Sequence, residues 1–212
     1  MSSHAWFPEY FNALLKRLGI NLIMLSVTRI LFYSLNSSAF PAWQATDFLA
    51  GICMDCIAIG IWFIPFYGLS LLPNPYRNSK LYQHFLFALF HITNTIMLML
   101  NLLDIEYFKY TSKRSTADLF TIMGTGDDLS QLIGAFFIDF WWLIALLIIL
   151  FIGSHMAYRR TLPRKKTPFR LGRELLFFIV GCSLLFVMGR GGVGLRPADT
   201  LTAAQFTRIE NT

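Results

Sequence analysis

Charged residues are scarce in this sequence. They make up 14% of its 212 residues, whereas soluble domains carry roughly 25%. Hydrophobic residues reach 55%, and several apolar runs have the ~20 residues needed to cross a bilayer. Such long runs with so little charge exclude an ordinary soluble domain. The sequence therefore predicts an all-α integral membrane protein.

Cysteine is also rare, and its three positions, Cys53, Cys56 and Cys182, all fall inside apolar runs. Cys53 and Cys56 form a C-x-x-C motif one helical turn apart, but no second pair completes a zinc site. We interpret the cysteines as small packing residues. The sequence implies no disulfide framework.

Motifs of common catalytic sites are absent from the sequence. It contains no G-K-[ST], G-x-S-x-G or H-E-x-x-H. The G-R-G-G-V-G at residues 189–194 follows an apolar span, whereas a dinucleotide site needs a strand before its glycines. The acidic, glycine-containing stretch 104–131 lacks the spacing of an EF-hand. Taken alone, the chain looks non-catalytic, with no metal-binding set.

A basic segment at residues 158–173, YRRTLPRKKTPFRLGR, orients the chain. It contains seven arginines and lysines and no acid before Glu174, and an apolar run lies on each side. Short basic loops between spans stay cytoplasmic, because positive charge resists transfer across the membrane. Fixing this loop inside fixes the direction of every other span.

The apolar runs predict three regions along the chain. Aromatic and leucine residues along one helical side of residues 1–17 predict an interfacial N-terminal helix. Residues 18–189 form a five-helix transmembrane domain, and the polar residues 190–212 form an extracytoplasmic linker. The predicted spans are residues 18–33, 47–72, 81–103, 132–152 and 175–188.

The distribution of basic residues predicts an N-inside, C-outside orientation. Eleven of the 18 lysines and arginines fall in segments on the inner side and six on the outer side. The net charge of +6 fits this topology and contact with anionic headgroups. It does not indicate a nucleic-acid partner.

Three charged residues, Arg29, Asp55 and Asp139, lie within the spans. At 1.5 Å per residue they and Asn94 fall about 10 to 14 Å below the outer surface. Intramembrane charges are costly and normally pair inside the bundle. We therefore predict one polar cluster, with Arg29 between the two aspartates. Two interpretations stay open: an ion-pair network that locks the helices, or an outer-leaflet pocket for a lipid headgroup.

A polar stripe follows the third predicted span. It consists of His84, His91, Asn94 and Asn101. Two histidines seven residues apart cannot form a close metal pair by themselves. Hydrogen bonds that pack this helix against its neighbours are the role we predict.

Three segments, in the order of the chain, resemble a known family. Residues 51–59 resemble a G-hydrophobic-R-F-D-hydrophobic segment, with Asp55 at the aspartate and Cys53 where an arginine is usual. Residues 104–118 are similar to D-x-E-Y-F followed by K-R-x-T-x-D, and residues 190–197 to R-G-G-x-x-L-R-P. The three patterns are typical of bacterial lipoteichoic acid synthase-like proteins, which are phosphoglycerol transferases and sulfatase-like enzymes of the alkaline phosphatase superfamily.

This resemblance implies a membrane anchor in the bacterial cytoplasmic membrane. In the family, five spans precede an extracytoplasmic catalytic domain with a threonine nucleophile and a divalent metal, manganese or magnesium. The sequence as far as Thr212 contains no position that matches those residues, so the resemblance implies no cofactor for this chain. The implied partners are that catalytic domain and membrane lipids of the phosphatidylglycerol type. The competing class is a stand-alone multi-pass protein, either a transporter or a partner-binding subunit.

Overall fold

The computed structural model describes residues 8–39, 45–111, 140–162 and 170–191, and every regular element within them is helical. The two short elements are 3-10 helices at Ser37–Ala39 and Pro75–Asn78. The six α-helices are α1 (Glu9–Leu35), α2 (Ala45–Trp62), α3 (Ile64–Leu71), α4 (Lys80–Thr111), α5 (Trp141–Arg160) and α6 (Leu171–Arg190).

Four of these helices, α1, α4, α5 and α6, are long and apolar enough to cross a membrane. The bent pair α2 and α3 qualifies as a fifth when it is counted as one span. The prediction of an all-helical chain is therefore confirmed for the described residues, which contain several helices that could cross a membrane. Insertion into a membrane and the orientation of the chain in it stay predictions.

The first helix is longer than the sequence indicated. The predicted interfacial segment ended at Arg17 and a separate span began at residue 18, but α1 runs without interruption from Glu9 to Leu35. Neither Lys16 nor Arg17 interrupts it, because both are good helix formers; Lys16 is exposed, and Arg17 is only 4% exposed. Its 27 residues correspond to about 40 Å, longer than the hydrocarbon core.

The second predicted span, residues 47–72, is divided in two. Helices α2 and α3 meet at Phe63 with a bend of 65°. Pro65 stands in the first turn of α3. It has no N–H to bond the Ile61 carbonyl, and its ring crowds that carbonyl, so the helix breaks there.

The remaining helices extend into segments that were predicted to be loops. Helix α4 continues to Thr111, so residues 104–111 of the polar stretch are helical. Helix α5 continues to Arg160 and absorbs the first residues of the basic segment. Helix α6 is followed by Gly191, whose φ of 80° is the left-handed conformation that favours glycine. Residues 112–139, which include the predicted start of the fourth span, lie outside the described residues.

The hydrophobic core has two parts. The larger one surrounds α3, where fully buried aromatic rings of α3, α4 and α5 pack edge to face or tilted, as aromatic pairs prefer. The smaller one joins α1, α4 and α5 through Phe32, Leu98 and Leu143. The rings at the centre of the larger part are Phe63, Phe66, Tyr67, Phe90 and Tyr158.

Glycines allow α6 to lie against α2 and α3 at close range. A Cβ atom on Gly60 would lie 2.5 Å from the backbone nitrogen of Gly189. One on Gly181 would lie 2.5 Å from a methyl group of Leu71. Small residues at a helix interface permit such backbone approach, which lipid-embedded helices use in place of hydrophobic association.

We expect Gly60→Ala to destabilise the bundle by about 1–3 kcal/mol, since the added methyl meets backbone atoms that cannot rotate away. Gly189→Ala is the matched control. Its Cβ meets the nearest atom, the Gly60 carbonyl carbon, at 3.5 Å, an ordinary contact. Unfolding of the purified protein in mixed micelles of increasing SDS content measures the difference. Equal stability of the two variants would contradict this helix contact.

Candidate functional site

Arg29 of α1 and Asp55 of α2 form an ion pair inside the bundle. Arg29 Nη2 donates to Asp55 Oδ1 at 2.5 Å, and Arg29 Nε donates to Oδ2 at 3.3 Å. The two side chains are only 12% and 9% exposed. This two-point contact is the arrangement in which arginine binds a carboxylate most strongly.

Gly51 completes the arginine site. Its carbonyl oxygen accepts a hydrogen bond of 2.8 Å from Arg29 Nη2. Gly51 lies one helical turn before Asp55, so both face α1 from the same side of α2. A Cβ atom at position 51 would overlap the Arg29 guanidinium. The glycine therefore makes room for the cation, a role that the sequence analysis did not assign to it.

The other two members of the predicted cluster are placed differently. Asn94 of α4 is only 2% exposed, and its Nδ2 has no hydrogen-bond partner in the described part of the chain. Asp139 lies outside the described residues. The structure thus brings Arg29 and Asp55 together, and a four-residue cluster stays a prediction.

The polar stripe on α4 bonds mostly to its own helix. His84 Nδ1 lies 2.7 Å from the Lys80 carbonyl oxygen, and Asn101 Nδ2 donates to the Met97 carbonyl at 2.9 Å. Neither ring nitrogen of buried His91 has a hydrogen-bond partner among the described residues. The predicted packing hydrogen bond is therefore wrong for His91.

His91 instead lies in an aromatic environment. Its ring stacks on His155 of α5, with 5.3 Å between the centroids. It also meets Phe87 edge to face at 4.4 Å. The His91 imidazole is thus packed between aromatic rings and makes no hydrogen bond to the described residues. Its flat shape fits the layer that these rings form.

A second buried ion pair joins the 3-10 turn after α3 to the start of α6. Arg77 Nη1 and Glu174 Oε2 are 2.6 Å apart, with side chains 10% and 2% exposed. Arg77 Nη2 donates to the Leu72 carbonyl at 2.8 Å. Its guanidinium carbon lies 3.8 Å from the centroid of the Tyr10 ring, within the range of a cation–π contact.

Arg17 lies near this second pair but has a different set of partners. Its Nε donates to Thr161 Oγ1 at 3.0 Å. Its guanidinium carbon lies 4.1 Å from the centroid of the Tyr158 ring. The structure thus buries two arginines, Arg17 and Arg77, that the sequence analysis counted only as inner-side charges that set the topology. One sequence feature could have indicated a buried ion pair in this region: Glu174 is the single acid between Asp139 and Asp199.

The described residues contain no group of three or more histidine, cysteine, aspartate and glutamate side chains close enough to hold a metal ion. No family model, curated protein or solved structure matches the chain.

We expect Arg29→Leu to destabilise the protein by about 3–5 kcal/mol, because it leaves Asp55 buried without its cation. The double variant Arg29→Leu with Asp55→Leu removes both charges and should lose clearly less than Arg29→Leu alone. SDS-induced unfolding of the wild type, the two single variants and the double variant completes the cycle.

The matched control for this cycle is Arg159→Leu, which removes an exposed arginine from the last turn of α5. Surface substitutions of this kind usually change stability by about 0.5 kcal/mol or less, so this variant should stay close to the wild type. Additive losses at Arg29 and Asp55 would show that the two residues are not energetically coupled.

Proposed function

We propose that this chain is the multi-pass membrane anchor of a lipoteichoic acid synthase-like phosphoglycerol transferase or sulfatase-family protein of the bacterial cytoplasmic membrane. Its N-terminus lies inside, and the chain leaves the membrane on the outer side after α6. Chemistry belongs to an extracytoplasmic domain that continues the chain. The divalent metal belongs to that domain too, and no residue of this chain is proposed to bind it.

The observation that carries this proposal is the presence of three motif segments in the order of the chain, and their described residues lie at or next to helix contacts. Asp55, in the first segment, is bound to α1 through Arg29. The second segment starts on α4, where the Ile105 carbonyl accepts a hydrogen bond of 3.2 Å from Asn36 at the end of α1. The third begins at Arg190, directly after the contact of α6 with α2. The described parts of the first two segments thus both contact α1, and the third segment begins where α6 leaves α2.

The geometry of Arg29 favours a helix lock over a lipid pocket. Its guanidinium already binds the carboxylate of Asp55 and the carbonyl of Gly51. A phosphatidylglycerol headgroup would have to displace Asp55 to reach the cation. We therefore propose that the pair holds α1 to α2 within the anchor, and that lipid contacts its surroundings.

A stand-alone multi-pass protein is the second candidate, and one observation favours a transporter. His91 and His155 stack in the bundle interior, and His91 has no hydrogen-bond partner among the described residues. Buried ionisable groups of this kind mark proton or ion paths in transporters. Such a path requires that cysteines placed beside His91 react with water-soluble maleimides from both sides of the membrane.

The first test is to read the gene beyond codon 212 and to measure the intact mass of the native product. We expect a continuation of several hundred codons, with a mass far above the 24.3 kDa of these 212 residues. A stop codon with a native mass near that value would exclude the anchor of a larger enzyme. A co-purifying soluble catalytic subunit would then point to the partner-binding class.

A second test separates the lock from the lipid pocket. In Arg29→Leu we expect less folded protein, with an unchanged number of phosphatidylglycerol molecules bound to each folded molecule. Native mass spectrometry of protein released from phosphatidylglycerol-containing nanodiscs counts that lipid. Normal assembly with fewer bound lipids would establish the headgroup pocket instead. Arg29→Lys, which keeps the charge, is the comparison variant.

A further inference from the structure

A small polar cavity lies at the end of the bundle opposite the Arg29 pair. Its volume is about 20 Å³, and it is lined by α1, by α3 and the turn after it, and by α4. A water molecule needs about 10–15 Å³, so the cavity admits one group of the size of an oxygen atom. The lining residues are Tyr10, Ala13, Arg17, Ser70, Arg77, Gln83 and Leu86.

Arg17 supplies a buried charge that no described carboxylate balances. Its side chain is 4% exposed, and its Nη2 has no hydrogen-bond partner among the described residues. The contacts to Thr161 and Tyr158 hold the guanidinium in place but provide no negative charge. A buried arginine without a counter-charge is costly, so the site is complete only when an anion occupies it.

Two more donors lining the cavity lack partners. Ser70 Oγ and Arg77 Nε are buried and make no hydrogen bond within the described part of the chain. The remainder of the Arg77 guanidinium is occupied by Glu174 and by the carbonyl of Leu72. With Arg17 Nη2, three separate elements that line one small space each carry an unsatisfied N–H or O–H group. The Tyr10 hydroxyl and the acceptor Gln83 Oε1 of the same lining also have no hydrogen-bond partner in the described chain. Natural proteins leave few such groups unpaired.

This end of the bundle is strongly basic. The starts of α1, α4 and α6 and the ends of α3 and α5 meet there, as the bonds Arg17–Thr161 and Arg77–Glu174 show. Its acids among the described residues are Glu9 and Glu174. The basic residues of these helix ends and the turn after α3 are Lys16, Arg17, Arg77, Lys80, Arg159, Arg160, Arg170 and Arg173.

We propose that this cavity is a phosphate-binding site. One phosphate oxygen enters between Arg17, Ser70 and Arg77, and the rest of the group lies toward the basic end of the bundle. The ligand is either the phosphodiester of an anionic phospholipid in the adjacent leaflet or free inorganic phosphate. The site is separate from the Arg29 pair and does not depend on the proposed anchor function.

Charge decides between a phosphate oxygen and a water molecule. A single water molecule accepts at most two hydrogen bonds, so it would leave one of the three donors unpaired and the Arg17 charge uncompensated in a buried position. Guanidinium groups bind phosphate through short, charge-assisted hydrogen bonds. Basic residues at a helix end beside the membrane also attract anionic headgroups. The same end of the bundle therefore concentrates the ligand and supplies its donors.

The test uses the whole chain and measures thermal unfolding by tryptophan fluorescence in two arms. In the first, inorganic phosphate is titrated in neutral detergent at constant ionic strength. In the second, nanodiscs of phosphatidylcholine are compared with nanodiscs in which phosphatidylglycerol is added in steps. A rise in the unfolding temperature in either arm supports the site. A rise in the phosphate arm identifies free phosphate, and a rise with phosphatidylglycerol alone identifies the lipid.

The arginine variant has a matched control. Arg17→Met keeps the length of the side chain and removes the charge, and we expect the apparent affinity for the anion to fall at least about tenfold. Arg160→Met removes the same charge from an exposed position at the same end of the bundle and should leave the affinity within about twofold. Equal losses in both variants would overturn the site in favour of general attraction to a basic surface.

Ser70→Ala keeps the proposal testable if Arg17→Met does not fold. Ser70 Oγ has no partner in the described chain, so its removal should not destabilise the ligand-free protein. It should weaken anion binding about threefold to tenfold. Unchanged binding by Ser70→Ala, or no response of the wild type to phosphate and phosphatidylglycerol, would show that the cavity holds only water.

Discussion

Buried charge is the constraint on which this bundle depends, because a charged side chain that is removed from water needs a partner of opposite charge. Arg29 and Asp55 meet this constraint across α1 and α2, and Arg77 and Glu174 meet it between the turn after α3 and α6. Each pair joins elements that are distant in sequence. Losing either partner leaves the other charge unbalanced, so these contacts fix which helices are neighbours more firmly than apolar packing, which lipid can replace.

The helices could be predicted from the sequence more reliably than the polar sites. Apolar runs locate the helices because run length reflects the thickness of the bilayer, and Pro65 carries the information for the break between α2 and α3. Counting basic residues to assign the inner side, in contrast, treats Arg17 and Arg77 as solvent-facing charges, although packing buries both. The depth estimate placed Asn94 level with Arg29, but depth does not determine the direction in which a helical side chain points, which changes by about 100° with each residue.

The two ends of the bundle treat charge differently. Near Arg29 the positive charge is balanced within the protein by a carboxylate and a backbone carbonyl. At the opposite end the buried charge of Arg17 has no carboxylate partner among the described residues, and further basic residues lie around it. A balanced pair suits a structural contact, whereas unbalanced buried positive charge suits a site that takes its negative charge from outside the protein. The Arg77–Glu174 pair also joins elements at the Arg17 end, so the unbalanced buried charge there is that of Arg17.

The bend at Phe63 has a mechanical consequence. A continuous helix moves as one rigid rod, but a 65° break divides α2 and α3 into two rods joined at Phe63. Asp55 lies on α2, and Ser70 lies on α3. The Ile61 carbonyl, which has no proline N–H to bond, leaves the joint with fewer hydrogen bonds than the helices on either side. We therefore expect any movement of α2 relative to α3 to be concentrated at Phe63 and not to bend either helix.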